Sequence, residues 1–259
     1  MYDVIVVGAG PAGNTAANSC SKKGMRTLLI EKYQLPRDKV CSGMIMGPVA
    51  HALIKEEFGE LPESVLAHPS YLLGYMFHVP GIGNDKLENL TILTWRRNLD
   101  HWMNQKAQSS GVEVWHNSHV INIKKETHGF SVVIKFNKEQ KEVFTKFVIG
   151  ADGATSLLRR TLFPKLRVTY SQAYQEHYQW ELDIDKSYFH WFYPIECSPA
   201  GFAVHQKDGL LIIDAGGRIG QKNQLIGKAK DFLAKNYHFD INQKPIWKGS
   251  CLEPIIYRE

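Results

Sequence analysis

The N-terminal stretch of the chain reads YDVIVVGAGPAGNTAANSCSKKGMRTLLIE, residues 2–31. Its apolar run Tyr2–Val7 has the length and the β-branched content of a strand, and a glycine-rich turn follows it at once. Residues 14–23 are predicted to form a helix, and residues 26–30 a second buried strand that ends at Glu31. This order of strand, glycine turn, helix, strand and acid predicts a βαβ unit that binds a dinucleotide.

Each residue type in this unit has a physical role. Gly8 permits the tight turn, Gly10 lets the backbone approach a pyrophosphate, and Gly13 lets helix and strand pack closely. The helix N-terminus at Ala12 offers free N–H groups and a positive dipole to the phosphates. The carboxylate of Glu31 can accept hydrogen bonds from ribose hydroxyls and would repel a 2′-phosphate, which disfavours NADP. The unit alone does not separate FAD from NAD.

Length and composition limit the classes of protein to which the chain can belong. The 259 residues can bury a substantial core, as one large domain or two interleaved ones, and 44% hydrophobic content is ordinary for a globular protein. The net charge of +5 is spread along the chain, which does not indicate nucleic-acid binding. No apolar run reaches transmembrane length and no signal peptide is evident, so we expect a cytoplasmic protein. The four cysteines lack the spacing of a zinc site or a disulfide scaffold, and no metal site is predicted.

A loop after the second strand carries the first resemblance to a known family. Residues 36–44, PRDKVCSGM, resemble the PRDKxCGGG segment of the geranylgeranyl reductases, which belong to the flavoproteins shaped like para-hydroxybenzoate hydroxylase. Ser42 stands where that family usually has glycine. The family segment lies beside the flavin, so the resemblance places Cys41 in the active site with its role undefined. Chemistry alone predicts a small buried apolar side chain for Cys41, because no neighbouring histidine supports a nucleophile.

A second motif supports the same family. Residues 150–159, GADGATSLLR, match the GADGxxSxxR motif of these flavoproteins and follow a predicted buried strand. Asp152 stands at the turn, where its carboxylate can accept hydrogen bonds from hydroxyls and backbone donors. Taken alone, the motif could be a plain strand–turn–helix. Together with the N-terminal unit, it favours FAD over NAD.

The family resemblance also assigns functional roles to residues that, without it, would be interpreted as purely structural. Arg96 fits an arginine that helps hold FAD in the family, although alone it predicts a solvated charge at a helix start, and Arg97 is the alternative register. Trp191 and Tyr193 lie in a stretch similar to the family's WxFP element, which lines the substrate cavity, although strand aromatics more often form core. The strand near Val120 corresponds to backbone that meets adenine. The expected cofactor-binding set is Gly8, Gly10, Ala12, Gly13, Glu31, Lys32, Arg96, Val120 and Asp152.

The predicted fold is α/β, with a Rossmann-like FAD-binding domain interleaved with a smaller antiparallel-sheet substrate domain. The FAD-binding domain carries an antiparallel meander over residues 112–149. The expected boundaries are residues 1–60 and 94–165 for the FAD-binding domain, and residues 61–93 and 166–259 for the substrate domain.

One stretch looks like a further flavin motif. Residues 209–217, GLLIIDAGG, are similar to the GDAAG motif that closes around FAD in complete family members. No glycine precedes Asp214 and no PxxGxG follows, so we assign this stretch to the substrate sheet instead. The resemblance then implies that the family's C-terminal part is missing, in a truncated or naturally short form. We expect such a chain to be poor in FAD, prone to associate and without reductase activity.

The family resemblance implies an FAD-dependent oxidoreductase that reduces carbon–carbon double bonds of isoprenoid, geranylgeranyl-type lipids. It implies NAD(P)H or ferredoxin as the electron donor, an apolar membrane-derived substrate, and peripheral membrane contact. Two alternatives stay open. One is a flavin-dependent monooxygenase or halogenase on the same fold, against which the loop of residues 37–43 argues. The other is a nucleotide-binding fragment without activity.

Overall fold

A computed structural model describes residues 1–137, 139–194 and 201–256. Cys197 lies outside these residues. The chain divides into two compact units, each with its own β-sheet. Unit 1 comprises Met1–Asp38, Ile54–Glu60 and Arg97–Arg167, and unit 2 comprises Lys39–Leu53, Leu61–Arg96 and Val168–Glu259. The predicted mixed α/β fold is confirmed.

The strands are β1 (Tyr2–Val7), β2 (Thr27–Ile30), β3 (Met44–Met46), β4 (Leu66–Val79), β5 (Gly83–Thr94), β6 (Glu113–Trp115), β7 (Ser118–Glu126), β8 (Gly129–Phe136), β9 (Glu139–Gly150), β10 (Val168–Tyr178), β11 (Tyr188–Phe192), β12 (Phe202–Lys207), β13 (Leu210–Arg218) and β14 (Trp247–Ile256). The helices are α1 (Pro11–Lys22), α2 (Gly47–Phe58), α3 (Arg96–Ser109), α4 (Leu157–Leu162) and α5 (Lys222–Tyr237). Among the described residues, no helix is long and apolar enough to cross a membrane.

The sheet of unit 1 has the order β6-β2-β1-β9-β8-β7 over the described residues. The strands β6, β2, β1 and β9 run parallel, and β9, β8 and β7 form an antiparallel meander. The predicted meander began at residue 112, and that start is wrong. The short strand β6 instead pairs with β2, because Glu113–Trp115 lie opposite Leu28–Ile30. Alternate residues of β1 contribute to two separate apolar clusters, so both faces of this strand are buried.

The sheet of unit 2 has the order β14-β10-β13-β12-β11-β4-β5-β3 within the described part of the chain. Its strands are antiparallel to their neighbours except β11, which runs parallel to β4. Asp214 lies on β13, between β10 and β12. The assignment of residues 209–217 to the second sheet is therefore confirmed.

The two faces of this sheet differ in chemistry, which is clearest on β12. Phe202 and Val204 pack into an apolar cluster that includes side chains of α5. The alternate residues Ala203, His205 and Lys207 lie on the other face, where Ala203 joins a cluster with Phe189 and Tyr75. We call the face opposite α5 the open face. It carries the aromatic and titratable side chains described below.

One helix start differs from the sequence prediction. Helix α1 begins at Pro11 rather than at residue 14, because Gly10 acts as the N-cap and proline suits the first helical position. Helix α3 begins at Arg96, so this arginine lies at a helix start, as its position in the sequence predicts.

Candidate functional site

The two sequence motifs of unit 1 meet at the carboxyl ends of adjacent parallel strands. Val7 on β1 lies opposite Gly150 on β9, and the Ala151 N–H donates to the Val7 carbonyl at 2.8 Å. Gly8 has a φ of +99°, and a β-carbon there would stand 2.4 Å from the Ala151 carbonyl oxygen. The glycine loop and the turn after β9 therefore touch backbone to backbone, at the edge where open α/β sheets bind ligands.

The N-terminus of α1 is open to a ligand. Within the described residues no side chain caps it, and Pro11 occupies the first turn. Gly13 was expected to allow close packing of helix and strand, but the tightest constraint comes from the loop itself. A β-carbon on Gly13 would lie 1.7 Å from the Gly8 carbonyl oxygen. The loop and the first turn of the helix, which includes Ala12, thus form one compact backbone cradle of the kind that receives phosphate.

Glu31 lies at the end of β2 with 3% of its surface exposed. One carboxylate oxygen, Oε2, accepts the Ala9 N–H at 2.8 Å, and Oε1 accepts the Tyr33 N–H at 3.1 Å. These two bonds fix the carboxylate against the glycine loop. Each oxygen can accept more than one hydrogen bond, so the group keeps capacity for hydroxyl donors.

Sequence analysis missed the two residues that support Glu31. Arg37 Nε lies 3.6 Å from Glu31 Oε1, and Arg37 Nη1 lies 3.5 Å from Asp100 Oδ2. Asp100 is fully buried on α3, and its carbonyl also accepts the side-chain amide of Asn14 at 3.3 Å. No local pattern joins Arg37 to Asp100, because these two residues lie more than sixty positions apart in the chain. Arg37 thus bridges two acids that would otherwise repel each other.

Asp152 holds the turn that follows β9. Its Oδ2 accepts the Leu157 N–H at 2.6 Å, which ties the turn to the start of α4. Its Oδ1 is buried and has no hydrogen-bond partner in the described part of the chain. A buried carboxylate oxygen without a donor is costly, and a ligand hydroxyl would satisfy it. The unpaired oxygen therefore fits a polyhydroxylated cofactor.

The other motif residues after Asp152 shape the turn. Ser156 is the N-cap of α4, where its hydroxyl accepts the Arg159 N–H at 3.0 Å. The Arg159 guanidinium donates back to the Ala154 carbonyl at 2.7 Å. Both residues therefore stabilise the turn that presents the Asp152 carboxylate.

The remaining predicted cofactor residues lie outside the group formed by the glycine loop, Glu31 and the turn after β9. Lys32 is exposed, with its ammonium 4.9 Å from the centre of the Tyr33 ring. Val120 is buried in β7, and the nearby Ser118 N–H donates to the Glu31 carbonyl at 3.0 Å, so the start of this strand reaches the acidic residue. Arg96 belongs to unit 2. The contacts described above bring together Gly8, Gly13, Glu31 and Asp152.

The second candidate region lies within unit 2, where Cys41 is half-buried. Its Sγ accepts the Gly43 N–H at 3.4 Å. Beside this turn lies Lys207, whose side chain no sequence motif indicated. Lys207 is 1% exposed, and burial lowers the pKa of its ammonium to about 8, against the opposing charges of Asp214, Cys41 and Asp208.

A polar group occupies the open face on β10, β12 and β13. Gln175 donates to Asp214 Oδ1 at 2.6 Å, and Asp214 Oδ2 lies 3.5 Å from His205 Nδ1. Burial raises the pKa of Asp214 to about 6, although 24% of its side chain remains exposed. Burial likewise lowers the pKa of His205 well below its usual value and that of His177 to about 4, so both imidazoles are neutral at pH 7.

An aromatic wall continues the open face across the neighbouring strands. Asp214 pairs with Ala203, Ala203 with Trp191, and Trp191 with Phe77, in one row across four strands. The Trp191 ring packs at a tilt against Phe189, with ring centres 5.7 Å apart, and stacks with Tyr193 at 6.3 Å. Trp191 and Tyr193 are both partly exposed, so the open face presents an apolar half beside a polar half.

A family model described as "FAD binding domain" matches residues 1–184. The chain belongs to this FAD-binding family, whose members are FAD-dependent oxidoreductases, and its cofactor is FAD. The chain is 31% identical, over 160 residues, to a digeranylgeranylglycerophospholipid reductase of Methanocaldococcus jannaschii. It is 27% identical over 178 residues to protein CbrA of Escherichia coli K12. The expected resemblance to the geranylgeranyl reductases is confirmed.

The match covers 60% of this chain and 39% of the Methanocaldococcus enzyme, and 68% of this chain and 50% of CbrA. Among solved structures, a geranylgeranyl bacteriochlorophyll reductase-like protein of Thermoplasma acidophilum has a TM-score of 0.85 at 22% identity, covering 97% of this chain and 66% of that one. A myxobacterial chondrochloren halogenase has a TM-score of 0.76 at 15% identity, covering 96% and 63%. At these identities, the structural likeness establishes the shared fold.

Proposed function

We propose that this protein is an FAD-dependent reductase that saturates carbon–carbon double bonds of isoprenoid, geranylgeranyl-type lipids. The aromatic half of the open face carries this proposal. The partly exposed Phe77, Trp191 and Tyr193 line it around the buried Phe189. Such a surface suits a long apolar chain better than a small polar substrate. The likeness to a digeranylgeranylglycerophospholipid reductase supports the same substrate class.

The residues of unit 1 fit the cofactor in defined ways. Glu31 would accept hydrogen bonds from a ribose, the N-terminus of α1 would face the pyrophosphate, and Asp152 Oδ1 would accept a hydroxyl. We assign cofactor binding to residues 1–60 and 94–165, with Gly10, Lys32, Arg96 and Val120 as further proposed contacts. Bound FAD supplies the hydride chemistry of the reaction.

The chain's own residues bind and orient the substrate. We assign substrate binding to residues 61–93 and 166–259, where the aromatic wall would align the isoprenoid chain and exclude water from it. Cys41 is proposed as an active-site residue, on the basis of the family resemblance of its loop. NAD(P)H or ferredoxin as electron donor and peripheral contact with a membrane belong to the same proposal.

The test is an anaerobic reduction assay. The protein is supplied with FAD and dithionite and incubated with a geranylgeranyl lipid in detergent. The mass of the product is then measured by mass spectrometry. We expect a gain of one H₂ for each double bond reduced. Trp191→Ala should raise the KM for the lipid, whereas Trp180→Ala should not, because Trp180 packs on the α5 side of the sheet.

Other outcomes would replace the proposal. An oxygen-dependent gain of one oxygen atom, with NAD(P)H consumed, would identify a monooxygenase. Incorporation of chloride or bromide would identify a halogenase. Both classes share the fold, as the halogenase and a p-nitrophenol 4-monooxygenase of Pseudomonas putida (TM-score 0.76, 14% identity, 99% of this chain and 69% of that one) illustrate.

A further inference from the structure

A buried lysine reaches the turn that carries Cys41. Lys207 is the last residue of β12, and its ammonium donates to the Ser42 carbonyl at 2.6 Å and to the Thr94 carbonyl at 3.0 Å. It also lies 3.9 Å from the centre of the Trp95 ring. One side chain thus joins the turn of residues 41–43 to the end of β5, through hydrogen bonds whose donor is charged.

The turn has little freedom around this lysine. The Gly43 carbonyl accepts both the backbone N–H of Thr94 at 2.9 Å and its hydroxyl at 2.8 Å. Gly43 has a φ of +76°, and a β-carbon there would stand 1.9 Å from the Thr94 carbonyl oxygen and 3.1 Å from Lys207 Nζ. Cys41 is held by the same turn, since its sulfur accepts the Gly43 N–H. Its thiol therefore moves only if this clamp opens.

The surroundings of Lys207 keep it in place. Asp208 accepts the indole N–H of Trp95, and its other oxygen accepts the His68 N–H at 2.8 Å. Asp208 thereby fixes the ring on which the ammonium lies. The titratable groups that face Lys207 are Cys41 from the loop, Asp208 and Asp214 from β13 and its preceding turn, and the neutral imidazoles of His177 and His205.

We propose that Lys207 is the positioning residue that holds the Cys41 turn in its working conformation, through its hydrogen bonds to the Ser42 and Thr94 carbonyls. This rests on the proposed function, in which Cys41 is an active-site residue. A lysine is suited to the task because a buried ammonium can bond two carbonyls, contact an aromatic face and still act as a point charge. The expense of burying it suggests a role beyond packing.

The test uses the protein without flavin or substrate. In a background where Cys20, Cys197 and Cys251 are serine, Cys41 is the single thiol, and its alkylation by iodoacetamide is followed at one fixed pH. Lys207→Met should raise the alkylation rate roughly tenfold, because the loosened turn exposes the half-buried sulfur more often. The same variant should exchange the Thr94 amide hydrogen roughly tenfold faster, since the clamp on Gly43 is loosened.

Two further variants make the outcome decisive. Lys230→Met is the matched control, because Lys230 lies on α5 and faces Glu176 at 4.0 Å, and it should change neither measurement. Lys207→Gln keeps N–H donors on a shorter side chain, so its rates of Thr94 exchange and Cys41 alkylation should lie between those of wild type and Lys207→Met. It also serves as the deciding variant if Lys207→Met does not fold, as judged by circular dichroism.

Wild-type alkylation rates of Cys41 in every folded Lys207 variant would overturn the proposal, as would wild-type exchange of the Thr94 amide in those variants. Failure of the proposed function looks different. In that case the clamp measurements come out as expected, but the anaerobic assay yields no reduced lipid.

Discussion

A β-carbon on Gly8 would stand 2.4 Å from the carbonyl oxygen of Ala151, so two motifs far apart in the chain are in backbone contact at this point. This contact leaves no space for any side chain. It also explains why the first glycine and the turn after β9 act as one structural unit.

Gly8→Ala should therefore lower the free energy of unfolding by more than about 2 kcal/mol and abolish FAD binding. The φ of +99° alone costs a residue with a β-carbon about 1–2 kcal/mol, and the close contact adds to this. Gly24→Ala is the matched control, because Gly24 also has a positive φ but has no atom within 4 Å of the added carbon. Chemical denaturation and flavin titration measure both variants; equal losses of stability would mean that the Ala151 contact is unimportant.

Asp152→Asn should weaken FAD binding by roughly 10- to 150-fold, because a hydrogen bond to a charged acceptor contributes about 1.5–3 kcal/mol. This prediction rests on the buried Oδ1 atom of Asp152, which has no hydrogen-bond partner among the described residues. Ser156→Ala is the control, since it removes the cap of α4 but leaves the carboxylate in place. Fluorescence titration with FAD should show a large effect for the first variant and less than about threefold for the second. Similar affinities for both would contradict the assignment.

Arg37→Met should destabilise unit 1 by about 3 kcal/mol, because it leaves the carboxylates of Glu31 and Asp100 without their shared cation. Adding Asp100→Asn to this variant should recover part of the loss, since one buried negative charge is then removed. Urea denaturation of the two variants provides the comparison. A double variant less stable than Arg37→Met would show that Asp100 is stabilised by other partners.

Asp214 should make stability depend on pH in the acidic range. Its pKa rises from 3.8 to about 6 on folding, so the stabilisation is complete below pH 3.8 and is lost as the pH rises through 6. Relative to Asp214→Asn, wild type should lose at most about 3 kcal/mol between pH 4 and pH 7. His177 has the opposite sign, because its pKa falls to about 4, but it is common to both proteins and cancels in the difference. Asp183→Asn, at an exposed carboxyl, should show no such difference.

The N-terminal unit was predictable because its information is local. Glycines at fixed offsets, an apolar strand and Pro11 specify β1, the loop and α1 within a few residues. Strand β6 was not predictable as a partner of β2, since three residues carry no pairing signal of their own. Gly74 lies in the middle of the long strand β4, where a β-carbon would lie 2.0 Å from the Leu87 carbonyl oxygen. Glycine therefore serves an irregular pairing with β5 within one continuous strand, and the sequence alone does not show this pairing.

Some residues of the candidate site could be predicted from the sequence, and others could not. Gly8, Gly13, Glu31 and Asp152 lie in recognisable motifs, and the structure brings them together. Arg37 lies in the PRDKVCSGM loop, but that motif does not indicate its contacts with Glu31 and Asp100. Lys207 acts through contacts with residues more than a hundred positions away, and its immediate neighbours do not distinguish it from an ordinary charged residue. A buried lysine in particular has no sequence signature, because its burial depends on the strands around it.

Alternate residues of β12 lie on opposite faces of the sheet, so substitutions in this strand fall into two classes. Substitutions at positions 202 and 204 act on the cohesion of the helix-covered core, and substitutions at positions 203, 205 and 207 act on the chemistry of the opposite face. During evolution, substitutions at these alternate positions could therefore change what the open face binds without disturbing the packing of the core. Deletion of a single residue within the strand would exchange the two sets and damage both at once.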